Sequence, residues 1–304
     1  LLIGIKILLI KMSVIKHYSI YTIVFFNPYK IIGPFMFDFY FGSAAEIKSH
    51  DEDFVIFVKR MLPRWINGIP DSECIALYRL LKDNNLKNTA LLETGCGAST
   101  IALVLHSMFN NCKLYSWDTN PSKGSFLRGV INEAICMPLN KNINDYWEFI
   151  AFDSTSKHLG MPILRELDIK PSIGFFDSLH TLDHLVSEID LFSDVANDEF
   201  FVVLDDAYYT NKSLNYSYIN MLRTKLSLGP VEQPQENICE PYFVEIEKML
   251  SKKFANVQRV DNDFANLMRD DIFFDYFATD QNAMNIKGMA KKTEDRFVSF
   301  QIQK

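Results

Sequence analysis

Between residues 89 and 206 five short apolar runs recur, and each ends in, or just before, an acidic side chain. Thr89–Leu92 leads to Glu93, Lys113–Trp117 to Asp118, and Trp147–Phe152 to Asp153. Ser172–Phe176 leads to Asp177, and Phe200–Leu204 to the pair Asp205 and Asp206. Helical patterns separate these runs over Ala98–Phe109, Lys123–Ile135, Lys157–Leu167 and Thr181–Val195. Strand alternating with helix predicts a parallel sheet covered by helices on both faces. The expected fold is α/β: a Rossmann-like, seven-stranded, mostly parallel sheet, closed by strands at Ile272–Ala278 and Arg296–Gln301. Ligands of such sheets bind beyond the carboxyl ends of the strands, where this chain collects its carboxylates.

The first strand runs into Glu93-Thr94-Gly95-Cys96-Gly97-Ala98-Ser99-Thr100, a glycine turn opening the helix that starts at Ala98. Glycine lets the chain take positive φ and lets ligand atoms approach the backbone. A dinucleotide fingerprint, G-x-G-x-x-G, needs a third glycine where this chain has Thr100. Glu93, two positions before Gly95, disfavours a pyrophosphate and suits a cationic ligand or ribose hydroxyls. Asp118 lies 21 positions after Gly97, an offset that suits a carboxylate holding a ribose diol. Asp153, followed by Ser154, is a candidate for capping the next helix.

The 304 residues allow one large domain with an extension. A net charge of −7 argues against a nucleic-acid-binding surface. Five cysteines, at 74, 96, 112, 136 and 239, contain no C-x-x-C pair. That count predicts neither a disulfide framework nor a zinc site and points to a reducing, cytoplasmic setting. Cys96 reads as a space-filling residue of the turn. Lys6, Lys11, Lys16 and His17 break the apolar N-terminus, so no transmembrane span is expected. Residues 1–44 read as an N-terminal extension and 45–304 as one domain. Met12 is the first methionine, so residues 1–11 read as lying upstream of the start; the alternative is an interfacial segment in weak contact with a membrane surface. Ala44–Arg60 and the stretch after Asp71-Ser72, an N-cap signal, predict helices ahead of the sheet. Lys212–Leu228 and Tyr242–Phe254 read as helical, and self-association is left open.

Two segments carry a family resemblance. Glu93 to Gly97 resembles the E-x-G-x-G motif of class I S-adenosylmethionine (SAM)-dependent methyltransferases. Gly174-Phe175-Phe176-Asp177-Ser178-Leu179-His180-Thr181, with Asp183-His184 and Glu188 following and Asp205-Asp206 as partner, resembles the fourth-strand segment of one subgroup. That subgroup holds cephalosporin hydroxylase-like proteins and metal-dependent O-methyltransferases of sugars and antibiotics. The resemblance spans roughly residues 88–210. It implies SAM held by Glu93, Gly95, Cys96, Gly97, Ser99, Asp118 and Asp153. It further implies Mg²⁺ on Asp177, Asp205 and Asp206, where converging carboxylates need a compensating cation, and a catalytic role for Asp177 and His180. His180 would be the base that removes a proton from a small-molecule hydroxyl; Tyr208 and Tyr209 could line the acceptor pocket. The expected function is SAM-dependent O-methyl transfer. The alternatives are an NAD(P)-dependent oxidoreductase and a non-catalytic SAM-binding protein.

Overall fold

The architecture comes from a computed structural model that describes residues 43–63, 65–179, 181–207, 220, 223–230, 240–260 and 297–304. Three helices precede the sheet: α1 (Ala44–Ser49), α2 (Asp51–Lys59) and α3 (Asp71–Asp83). Then follow β1 (Ala90–Thr94), α4 (Ala98–Asn110), β2 (Lys113–Trp117) and α5 (Pro121–Ile131). A π-turn at Asn132–Cys136 leads through the single turns α6 (Met137–Leu139) and α7 (Ile143–Tyr146) to β3 (Trp147–Ile150). The chain continues with α8 (Ile163–Glu166), β4 (Pro171–Phe176), α9 (Leu182–Val195) and β5 (Glu199–Leu204). It ends with α10 (Tyr242–Lys253), β6 (Asn256–Val260) and β7 (Val298–Gln303). The described elements belong to one compact unit, residues 39–304.

The seven strands form one sheet in the order β3-β2-β1-β4-β5-β7-β6. The first five run parallel, and β7 is antiparallel to both β5 and β6. The Rossmann-like sheet expected from the alternation is thus present. The order reverses between β1 and β4, which makes that gap the switch point where ligands of open α/β sheets bind.

Local chemistry explains the elements. The central strands are covered on both faces, so they read as unbroken apolar runs: Leu91, Leu92, Ile173, Phe175, Phe176 and Phe200–Leu204 are all buried. Asn120 accepts from the Ser122 amide, with Pro121 at the first helical position, and this starts α5. Asn111, at φ 54°, ends α4. On one face an edge-to-face aromatic chain, Phe176–Phe192–Phe200–Phe254, with centroids 5.4, 5.6 and 5.6 Å apart, joins β4, β5, α9 and the end of α10.

Some expectations are corrected. Pro70, not Asp71 or Ser72, caps α3. The Asp71 carboxylate is buried and bonds Lys59 Nζ at 2.8 Å and Arg60 at 2.7 Å, tying the start of α3 to the end of α2. The Ala44–Arg60 helix is interrupted at His50, giving α1 and α2. Lys157–Leu167 is not a continuous helix: only Ile163–Glu166 is helical, because Gly160 is wedged against the Ser154 and Ser156 carbonyls and Pro162 follows. Asn256–Val260 is an edge strand the hydropathy did not show, since three of its five side chains are polar and none is fully buried. The expected strand Ile272–Ala278 and the N-terminal extension through residue 42 lie outside the described residues, as does most of Lys212–Leu228. Cys74, Cys96, Cys112 and Cys136 are free and buried. No helix among the described residues is long and apolar enough to cross a membrane.

Candidate functional site

The carboxyl ends of the parallel strands are stitched into one rim. Each residue just past a strand end donates its amide to the last carbonyl of a neighbouring strand or the residue beside it. Asp118 bonds Ile150 at 3.3 Å, Gly95 bonds Trp117 at 2.8 Å, Asp177 bonds Thr94 at 2.9 Å and Asp205 bonds Phe176 at 3.2 Å. Asp118, Gly95, Asp177 and Asp205 therefore stand side by side in sheet order, with Gly95 and Asp177 at the switch point.

Only glycine fits at position 95. Its φ is +82°, and a Cβ there would lie 1.7 Å from the Asp177 carbonyl oxygen. The arch after β4 thus lies directly on the glycine turn. On the other side, a Cβ at Gly97 would come within 3.0 Å of the Ile66 carbonyl. Residues 65–67 therefore form a cover on the turn, a placement with no local signal in the sequence.

Glu93 does not reach solvent. It is fully buried, and its oxygens accept from Ser99 Oγ (2.6 Å), Thr100 Oγ1 (2.8 Å) and Ser116 Oγ (2.8 Å). Thr100 Oγ1 also accepts from the Gly97 amide at 3.1 Å, and Trp147 Nε1 donates to Ser116 at 2.9 Å. Burial pushes the Glu93 carboxyl up to about 7, against the opposing pull of the three hydroxyl donors. Glu93 and Ser99, expected as ligand contacts, are buried and bonded to each other beneath the turn. The charge of Glu93 therefore does not discriminate between cofactors. Thr100 does, because its buried side chain stands where a dinucleotide motif needs glycine for close packing.

Asp118 stands at the strand-end rim, and its carboxylate is engaged. Oδ2 accepts from the Cys96 amide at 3.1 Å and from Lys123 Nζ at 2.9 Å, and Oδ1 accepts from the Asn120 amide at 2.8 Å. Lys123 is the more exposed partner of this pair, at about 29%, and Asp118 the more buried one. Sequence reasoning left Lys123 unassigned; its place five residues after Asp118, in the first turn of α5, is the signal that could have found it. Cys96 contributes its amide, and burial beside Glu93 and Asp118 holds its thiol far above the range of a nucleophile.

Asp153 is exposed and folds back on its own loop, accepting from Thr155 N (2.8 Å) and Thr155 Oγ1 (2.7 Å), bonds that lower its pKa. Exposed apolar side chains flank these polar groups in sequence and space. Trp65, beside the Ile66 cover, meets Phe126 of α5 edge-on at 5.5 Å. Phe152 precedes Asp153 and Leu179 follows Ser178, and both are exposed.

Asp177 and Asp205 continue the Phe176–Leu204 register of adjacent strands. Asp206 lies one residue on, in the left-handed region at φ 51°. Among the described residues no group of three or more His, Cys, Asp or Glu side chains is arranged to hold a metal ion. The three-carboxylate Mg²⁺ site expected of Asp177, Asp205 and Asp206 is therefore not shown among the described residues. His180, Tyr208 and Tyr209 lie outside the described residues.

Fold and rim together define a Rossmann-like α/β protein with a glycine turn at the switch point of its sheet. No protein-family model matches the chain, and no curated protein matches it significantly. Among solved structures it is similar to an O-methyltransferase from Bacillus cereus in complex with SAH, at 14% identity and TM-score 0.43, over 72% of this chain and 90% of that one. It is also similar to an SAH-bound Podospora anserina methyltransferase, at 12% identity and TM-score 0.42, over 83% and 86%. A third is a SAM-dependent methyltransferase from Geobacter sulfurreducens in complex with S-adenosyl-L-homocysteine, at 11% identity and TM-score 0.39, over 82% and 98%.

Proposed function

We propose that this chain is a SAM-dependent methyltransferase acting on a small-molecule hydroxyl. The observation that carries the reading is the wedge at Gly95: a positive-φ glycine seated under the Asp177 arch, next to Asp118, at the switch point. A SAM bound there would have the Asp118 carboxylate on one side, for its ribose, and the ends of β4 and β5 on the other. Thr100 disfavours the dinucleotide alternative. SAM supplies an electrophilic methyl group. The chain's residues supply position: the glycine turn and the Ile66 cover orient the amino-acid end, Asp118 the ribose, and the Asp177 arch the acceptor. Holding two reactants in line is itself worth several kcal/mol, of order 7–11 in well-oriented model reactions. His180 is the proposed general base, and loss of kcat with retained SAH affinity in His180→Ala tests it. No step is assigned to a metal, because the described residues do not gather its ligands.

Calorimetric titration with SAH and with NADPH, followed by methyl transfer from labelled SAM to a panel of hydroxyl-bearing metabolites, tests the function. Binding of NADPH without SAH would overturn it in favour of an oxidoreductase. One observation favours that second reading: Lys123 beside Asp118 is a cation where a 2′-phosphate would lie.

A further inference from the structure

A fully buried carboxylate on α9 belongs to no part of the crevice described above. Glu188 has no exposed surface. Its Oε1 accepts from Ser154 Oγ at 2.5 Å, and its Oε2 accepts from Ser178 Oγ at 2.8 Å. His184, one turn earlier on the same helix, places Nε2 3.3 Å from Oε1. Ser154 follows Asp153 in the loop after β3, and Ser178 follows Asp177 in the arch after β4. In the sheet, β3 and β4 are not neighbours: β2 and β1 stand between them. The two loops come together through the Glu188 side chain.

Both loops are otherwise anchored to the glycine turn and its surroundings. The β3 loop is a folded plug. Trp117 Nε1 donates to the Leu159 carbonyl at 2.8 Å, and the Met161 amide donates to the Ser154 carbonyl at 2.7 Å. Gly160 is packed so closely that a Cβ would lie 2.4 Å from the Ser154 and Ser156 carbonyl oxygens. The β4 arch rests on Gly95. A carboxylate removed from water is costly unless it is fully bonded. Ser154, Ser178 and His184 meet that demand together, and because two of these three partners sit on the two loops, the position of each loop constrains the other.

We infer that Glu188 is a positioning residue that couples the β3 loop, carrying Asp153, to the β4 arch, carrying Asp177, so that the two sides of the crevice are held in one arrangement. The inference rests on the methyltransferase reading for the identity of the ligand. The role belongs to a side chain that touches no ligand, and it differs from simple core packing because it links two loops rather than filling space.

The test uses the full chain and SAH as probe, with Kd from calorimetry and Tm from unfolding. Wild-type binding is measured first; no SAH binding there defeats the proposed function rather than this inference. Given wild-type binding, Glu188→Ala is compared with Ile246→Ala, a buried apolar position on α10. The expected result is at least a tenfold loss of SAH affinity in Glu188→Ala, with Ile246→Ala within twofold of wild type despite a comparable drop in Tm. Equal losses in both, or wild-type affinity in Glu188→Ala, overturn the inference. Should Glu188→Ala fail to fold, Ser154→Ala and Ser178→Ala decide. Coupling predicts that each weakens SAH severalfold and that the double variant is no weaker than the worse single. Losses that multiply show two independent loops and refute the coupling.

Discussion

Replacing Glu93 with glutamine isolates the one titration the site keeps wholly out of water. Burial raises the Glu93 carboxyl from its ordinary 4.5 to about 7. The folded chain then holds this proton up to about pH 7, while the unfolded chain releases it near 4.5. Between those values the folded state binds more protons, so stability must fall as pH rises, and it flattens above and below the window. A tenfold displacement of a proton equilibrium is worth about 1.4 kcal/mol, so the whole swing is about 3 kcal/mol. Glu93→Gln keeps the volume and removes the titration. Urea unfolding of both proteins across this range, compared as wild type minus variant, cancels every other ionisable group. The difference is expected to decline by about 3 kcal/mol from acid to neutral pH. A flat difference, or one that grows with pH, would refute the reasoning. It would mean that the hydroxyls of Ser99, Thr100 and Ser116 outweigh desolvation and keep the carboxylate ionised.

Other outcomes follow from the same geometry. Gly95→Ala combines a positive φ with a clash on the Asp177 backbone; it should cost roughly 2–4 kcal/mol in unfolding free energy and abolish SAH binding by calorimetry. Asp118→Ala should weaken SAH at least tenfold, whereas Lys123→Met, which frees the carboxylate of a partner in a partly exposed pair, should change it only a few-fold. Unchanged affinity in Asp118→Ala would show that the ribose lies elsewhere. Mg²⁺ should leave the thermal midpoint of wild type unmoved, and EDTA should leave methyl transfer intact; a Mg²⁺-dependent rise that disappears in Asp205→Ala would restore the metal site.

The strand–helix alternation was legible because period and composition are local. Lys113–Trp117 came out with the same bounds, and the glycine turn fell between β1 and α4 as its neighbours dictated. Acidic residues at strand ends stood out because a carboxylate is a poor core residue. The one at Glu93 shows the limit of that argument. It is a core residue after all, because three hydroxyls from α4 and β2 converge on it. Ser116 reaches it only because β2 lies parallel to β1 with Glu93 and Ser116 in register, a fact of sheet pairing. The edge strand Asn256–Val260 was hidden for a related reason: its mostly polar residues, none fully buried, carry no alternation, and only pairing with β7 makes it a strand.

By itself the sequence determined which stretches become strands and helices, where the chain must turn, and which end of the sheet gathers charge. Each depends on residues a few positions apart. Tertiary structure alone decided which carboxylates face the crevice and which are sealed beneath it. It also laid residues 65–67 on the glycine turn and made Glu188 the joint between two loops. Those outcomes depend on which distant hydroxyls and backbones arrive beside a side chain, and separation along the chain does not encode that.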